Sequence, residues 1–217
     1  MKERPILFTP GNVRAILDGT KTQTRRIVKP EPVRVSGGIP YRNPTASLHG
    51  APGSAIYRCP YGQRGDRLWV RETHSLITSH TIPYVVFKDG GQKYQDGGYA
   101  PGLKEYSPNA FRGIKWRRSI HMPRWACRTV LAITEVRVQR LQECSSEDAM
   151  AEGVEYFHAG LFRDYLQPGA VGIDGAIASY QSLWESINGA GSWDANPWVW
   201  AISFKKVSMV DTSRTEA

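Results

Sequence analysis

Three features of the chain predict an α+β domain organised around a small β-barrel. β-Rich segments are spread from residue 5 to residue 206, with only two or three short helices between them. They do not alternate regularly with helices, which argues against a doubly wound parallel sheet. The stretches between them, residues 29–64 and 73–127, are rich in proline and glycine and suit connections and insertions rather than core elements.

From the N-terminus, residues 5–9 read as the first strand and 11–18 as an amphipathic helix, with Val13, Ile16 and Leu17 at helical spacing. Gly19 ends that helix, because glycine takes a left-handed backbone at no steric cost. Residues 29–64 read as an extended loop with one short strand near Ile56, Tyr57 and Arg58. Gly65-Asp66 is a turn signal before a strand from Leu68 to Glu72. Residues 73–127 carry Gly90-Gly91, Gly97-Gly98 and four prolines around a β-rich piece, Tyr84 to Phe87. That length is too great for a bare loop in a compact core, so a partly ordered insertion is expected.

Arg128 to Leu141 reads as a central strand. Val130, Thr134, Val136 and Val138 lie on one face, Leu131, Ile133 and Glu135 on the other, and both faces are apolar near its start. Ser145 is a natural N-cap for a short helix with Glu147 and Asp148 in its first turn and Gly153 at its close. Ile177, Tyr180, Trp184 and Ile187 predict an amphipathic helix over 175–188. The closing strand alternates Trp198, Trp200, Ile202 and Phe204, placing them on one buried face as core rather than as a stacking platform. Residues 208–217 are polar and expected to fray. A single domain over 1–207 follows, with an insertion at about 73–127.

Composition narrows the function classes. With 217 residues and 41% hydrophobic content the chain suits a globule. No run approaches the ~18 apolar residues of a membrane span. The charged start, Met1 to Pro5, leads into a short apolar stretch broken by Pro10 and Gly11, which is no secretory leader. Cys59, Cys127 and Cys144 are far apart and form no C-x-x-C pair, so neither a disulfide framework nor a zinc site is indicated. His49, His74, His80, His121 and His158 show no ligand spacing. No metal, cofactor or membrane partner is expected, and a reducing cytoplasm is the natural setting. The sequence sets no oligomeric state.

The net charge of +8 is concentrated. Residues 1–30 hold seven lysines and arginines against Glu3 and Asp18, and residues 111–128 hold six with no acid, so the remainder is slightly acidic. Such clustering suits a surface that meets phosphates, although basic chains also carry charge for solubility alone.

The most informative stretch is Leu17-Asp18-Gly19-Thr20-Lys21-Thr22-Gln23-Thr24-Arg25-Arg26. A sharp turn followed by cations and hydroxyls suits an anionic or strongly polar ligand; a solvated basic loop has the same composition. A hydroxyl needs a neighbouring base to act as a nucleophile. A lysine desolvated beside Arg25 and Arg26 loses its proton more readily, and Glu152 is a group able to orient it or relay a proton. A second constellation joins Lys115, Trp116, Arg117 and Arg118 with His121, Arg124, Trp125 and Arg128. Cations interleaved with indoles suit single-stranded nucleic acid, or an insertion pinned by its tryptophans with its arginines in water.

Gly19, Lys21 and Arg25 resemble the glycine-x-lysine-x-x-x-arginine signature of the ASCH domain family. Three further stretches follow in that family's order: Gly65 to Glu72, Ser146 to Gly153, and Trp198 to Phe204. With its large insertion before Met122 to Trp125, the chain resembles the longer ASCH proteins carried by bacteriophages and prophages. The resemblance implies a PUA-like β-barrel with a ligand cleft between the Gly19–Arg26 loop and the helix carrying Glu152. It also implies RNA or a modified nucleoside as partner. A small bacterial ASCH protein is an N4-acetylcytidine amidohydrolase, and similarity to it implies Thr24 as nucleophile, Lys21 as base and Glu152 as acid or orienting group. Gly19, Arg25, Arg26, Lys115, Trp116, Arg117, Arg118 and Arg124 would then bind substrate or nucleic acid. Other members are RNA-binding or RNA-cleaving, in which case Lys21 and Arg25 would hold phosphate. An accessory protein acting through protein contacts is the third class.

Overall fold

The computed structural model describes residues 1–29, 47–48, 57–77, 84–88, 92–94, 99–100 and 115–207. In chain order the elements are β1 (Glu3–Leu7), α1 (Pro10–Leu17), β2 (Gln23–Ile27), β3 (Ser47–Leu48), β4 (Tyr57–Arg58), β5 (Arg67–Arg71), β6 (His74–Ile77), β7 (Tyr84–Phe87), β8 (Gln92–Tyr94), β9 (Tyr99–Ala100), β10 (Val130–Arg140), α2 (Ser146–Ala151), β11 (Tyr156–His158), β12 (Leu161–Phe162), β13 (Ile173–Asp174), α3 (Ala176–Asn188) and β14 (Trp198–Val207). The chain is a mixed α+β protein with a mostly sheet core and few helices. Among the described residues no sheet closes on itself, so the small barrel expected from the sequence is not seen there.

Two compact units are formed: Met1–Leu17 with Asp66–Ala132 and the end from Lys206, and Asp18–Gly65 with Ile133–Lys205. In the first, β1 runs parallel to β5 from Glu3↔Arg67 to Leu7↔Arg71, and β5 pairs antiparallel with the start of β10. Ile6, Leu68, Val70 and Leu131 are buried in these strands, and α1 buries its Val13 and Ile16. β6, β7, β8 and β9 make an antiparallel meander. Val85 and Phe87 from it pack with Met122, Ala126, Cys127 and Val130. Sequence reading finds only β7 here, whose residues Tyr84 to Phe87 are all β-branched or aromatic; β8 and β9 are three and two residues long, too short for a period to register, and β6 opens on the polar pair His74-Ser75.

In the second unit, β14 lies between β10 and β2. Its middle, Val199 to Ile202, is buried on both faces rather than on one. That is what a central strand with elements on either side requires. Against it pack α2 and α3, around a core of Leu141, Cys144, Ala149, Tyr180, Trp184 and Trp193. The buried stripe of α3 is Ala176, Tyr180 and Trp184, spaced by four, with Ser179 and Ser182 beside it; Ile177 and Ile187 are exposed. A three-stranded sheet, β11-β12-β13, fills residues 156–174, where no strand is expected from the sequence. The loop expected at Gly19–Arg26 is a strand from Gln23 onward, paired antiparallel with β14 from Gln23↔Ser203 to Ile27↔Val199. The short strand expected near Ile56, Tyr57 and Arg58 is β4 at Tyr57–Arg58, paired antiparallel with β3; Ile56 itself, most of the loop expected over 29–64 and the tail 208–217 lie outside the described residues.

α2 begins as the sequence predicts: the Ser145 hydroxyl accepts from the Asp148 N–H at 3.1 Å. Gly153 follows the helix with φ +81. Replacing Ser145 with alanine removes one of the few constraints on a six-residue helix. Urea unfolding should show a loss of about 1 kcal/mol for Ser145→Ala and a much smaller loss for Ser145→Asp, which restores a cap.

Candidate functional site

The strand period of two decides which side chains of β2 meet α2. Gln23 and Arg25 share a face, and both reach the Asp148 carboxylate: Gln23 Nε2 donates at 3.0 Å and Arg25 Nη2 at 2.8 Å. Thr24 alternates to the other face, opposite Ile202 in register, and is itself buried. Just before the strand, the Thr22 N–H donates to the Ala151 carbonyl at 2.8 Å, tying this segment to the end of α2. Gly19, with φ +81, makes the reversal that brings the chain from α1 to this point.

Lys21 and Glu152 meet at the centre. The Lys21 ammonium donates to the Glu152 carbonyl at 2.6 Å and to its Oε2 at 2.8 Å. Arg25 Nη1 donates to the other carboxylate oxygen, Oε1, at 3.1 Å and to Gln23 Oε1 at 2.6 Å. The Tyr180 hydroxyl of α3 donates to Oε1 at 3.4 Å, and the Arg25 guanidinium lies 5.6 Å from the Tyr180 ring centre. Asp148 also accepts from Arg137 at 2.7 Å. Lys21, Thr24, Arg25 and Glu152 are each at most 4% exposed. The expectation of a solvated basic loop is therefore corrected: these cations are sealed in and neutralised by carboxylates.

Sealing alters proton affinities. Burial pulls the Lys21 ammonium below its ordinary value, against the opposing pull of Glu152; Arg26 and Arg25 push the same way as burial. Burial pushes the Tyr180 phenol well up, and the Glu152 charge adds to this. Burial likewise takes the nearby Cys144 thiol up to about 12, despite the Arg25 charge. For Asp148 burial acts upward, but hydrogen bonds from Arg137 and Gln23 and the charge of Arg25 outweigh it and hold the carboxyl below its usual range. Arg25 Nε is buried without a hydrogen-bond partner, a donor left for another acceptor.

The structure thus brings together Lys21, Arg25 and Glu152 and adds Gln23, Asp148 and Tyr180, which sequence reading did not single out for this site. A short helix start with two acids, read against an upstream lysine and arginine, is the signal that was available. Gly19 is exposed, and Arg26 lies 5.9 Å from the Tyr61 ring centre.

The second constellation lies in the first unit. Lys115, Arg117, Arg118 and Arg124 are exposed there and Trp116 is half-buried. Arg124 forms a bidentate pair with Glu3 at 2.8 and 2.9 Å. Arg128 is not on this surface: it is buried on Glu72 at 3.0 and 2.6 Å. Trp125 packs on the Phe87 core, and the Trp69 ring is faced by Arg71 and Arg124. Among the described residues no group of three or more His, Cys, Asp or Glu is placed to hold a metal ion, and no helix is long and apolar enough to cross a membrane. The chain matches no protein-family model, no curated protein and no solved structure.

Removing one member of a buried charge cluster leaves its partners uncompensated, typically at about 3–5 kcal/mol. Glu152→Gln should therefore cost about that much at pH 7 in urea titrations. Lys21→Met/Glu152→Gln should recover part of the loss, since the orphaned ammonium is gone; a strictly additive double variant would mean the two do not interact. The Asp148 contribution is fully present above its unfolded value and is lost as pH falls through its lower folded value. The gap in stability between wild type and Asp148→Asn should accordingly narrow as pH is lowered through the acid range.

Proposed function

We propose that this chain is an ASCH-type protein, with that family's PUA-like architecture, that hydrolyses the amide of an N4-acylated cytidine, free or within RNA, at Lys21, Thr24 and Glu152. The observation that carries this reading is the state of Lys21: sequestered from water, clamped by two oxygens of Glu152, and with its proton loosened by burial. Burial favours the uncharged amine, the form in which a lysine acts as a general base.

In this mechanism neutral Lys21 takes the Thr24 hydroxyl proton as the oxygen adds to the acyl carbon. The tetrahedral intermediate collapses with cleavage of the C–N bond, and the proton passes from Lys21 to the departing amino group. Cytidine leaves, and Thr24 holds the acyl group as an ester. Water then adds with Lys21 again as base, giving the free carboxylic acid and the restored hydroxyl. Glu152 keeps the lysine in place, and the Arg25 Nε–H is a donor available to a substrate oxygen. Thr24 alternates away from Gln23 and Arg25, so this reading requires its hydroxyl to reach Lys21 around the start of β2, which makes Thr24 the decisive position. Because these side chains are buried, this reading requires the site to open before substrate enters.

A second reading, RNA binding without hydrolysis, is favoured by where the unsealed cations lie. Lys21 and Arg25 are spent on carboxylates, whereas Lys115, Arg117 and Arg118 face solvent. Phosphates would then be met by the 115–118 segment.

Incubation with N4-acetylcytidine and chromatography of the products separates these readings. Wild type should release cytidine, Thr24→Ser should retain some turnover, and Thr24→Val should lose it while still binding substrate. Lys21→Met should cost at least about a hundredfold. Wild-type rate in Thr24→Val, or no deacylation by wild type, overturns the enzymatic reading. In the binding reading, RNA affinity falls with salt at a log–log slope of about −0.7 per phosphate, and replacing Lys115, Arg117 and Arg118 by alanine flattens it by about 2.

A further inference from the structure

We propose that the first unit holds a pocket for a phosphate monoester or free orthophosphate, built on Arg14, Thr73, Lys88 and Arg128, and independent of the chemistry assigned to Lys21. The pocket opens beside α1, between its Val13 and Arg14 and the segment Glu72-Thr73, with Lys88 and Arg128 completing the lining. Its fixed element is Arg128. Nε and Nη2 of that side chain are both held by the Glu72 carboxylate, and its guanidinium lies 4.1 Å from the Phe87 ring centre. Glu72 is set in turn by its own N–H, which donates to Met122 Sδ at 3.3 Å. The guanidinium is therefore positioned before any ligand arrives.

Charge chooses the ligand. Glu72 offsets Arg128, but Arg14 and Lys88 have no carboxylate partner among the described residues; Lys88 only rests over the Trp116 ring at 5.6 Å. Three cations against one carboxylate leave an excess of two positive charges around one small space. The pocket is open to solvent and its inner volume is about 10 Å³, room for one water-sized group. A base or sugar does not enter; a single oxygen of a ligand head does, while the other oxygens meet the rim cations. A terminal phosphate carries about −1.5 to −2 at pH 7 and matches that excess, as a carboxylate or a phosphodiester, each with a single charge, does not.

The test uses the full chain with ionic strength held constant by sodium chloride. Orthophosphate, cytidine 5′-monophosphate, and a short RNA with either a 5′-phosphate or a 5′-hydroxyl are titrated by calorimetry, and thermal unfolding is followed in parallel. The expected result is saturable binding of one orthophosphate that raises Tm. Arg14→Glu/Lys88→Glu should weaken it at least about tenfold, with the unliganded Tm unchanged because both side chains are exposed. Binding should also weaken as pH falls through about 6, where the phosphate loses its second charge. Preference for the phosphorylated RNA end or the nucleotide over orthophosphate identifies the source as nucleic acid or nucleotide; binding of orthophosphate alone identifies free phosphate. Absence of saturable orthophosphate binding above the chloride control overturns the proposal, as does undiminished binding by the double variant.

Discussion

The second unit is organised by the need to neutralise two cations that have no access to water. Lys21 and Arg25 enter the interior on one side of the chain, and Glu152 and Asp148 are the carboxylates that make this possible. Each desolvated ion costs several kcal/mol before its partner is counted, so the positions of all four are strongly coupled. The cap at Ser145 starts α2 at the residue that puts both acids toward β2. The alternation of β2 turns Gln23 and Arg25, but not Thr24, toward them. Tyr180 brings α3 into the same network through its hydroxyl. Hydrophobic burial between α2, α3 and β14 supplies most of the favourable free energy, but it does not discriminate among nearby registers. The ion cluster does, since a shift of one residue along β2 would exchange Arg25 for Thr24.

A similar arrangement recurs on a smaller scale in the first unit. Arg128 and Glu72 form a buried bidentate pair, and the ring of Phe87 covers the guanidinium face. Fork-to-fork geometry is the one in which an arginine and a carboxylate satisfy the most donors at once. Formal net charge therefore says little about how this protein presents itself. Several of its cations are spent inside, and the exposed ones are what a polyanion would meet.

Much of the fold was legible where a local rule acts alone. The Gly19 turn, the Ser145 cap and the Gly153 stop follow from backbone preferences of single residues. β5, β7, β10, β14 and α3 follow from hydrophobic periodicity over several residues. β2 was hidden because Gln23, Thr24, Arg25 and Arg26 read as a soluble loop; their burial depends on carboxylates more than a hundred positions downstream, which no local pattern encodes. The stripe of α3 was misjudged because Ala176, Ser179 and Ser182 are buried while Ile177 and Ile187 are not, so side-chain size at the contact outweighed hydropathy. Lys21 and Glu152 were legible as a pair of interest, but Asp148, Gln23 and Tyr180 were not, since hydrogen-bond partners are chosen by tertiary placement. Arg128 has the sequence setting of the surface cations around it, and its buried place depends on Glu72, 56 residues upstream.

The order in which strands are partnered has a consequence for how the chain is made. β2 pairs with β14, and the Gln23 side chain bonds Ser203 across a separation of 180 residues. β1 waits for β5, with Lys2 and Asp66 bonded across 64 residues. A nascent chain leaving the ribosome therefore presents two early strands with unsatisfied edges, one of them bearing Lys21 and Arg25 still in water. The second can be enclosed only when residues 198–207 have emerged. Long-range pairings of this kind slow folding, because loop-closure entropy is spent before contacts repay it. A chain halted before Trp198 therefore keeps its future interior cations exposed to whatever polyanion is at hand.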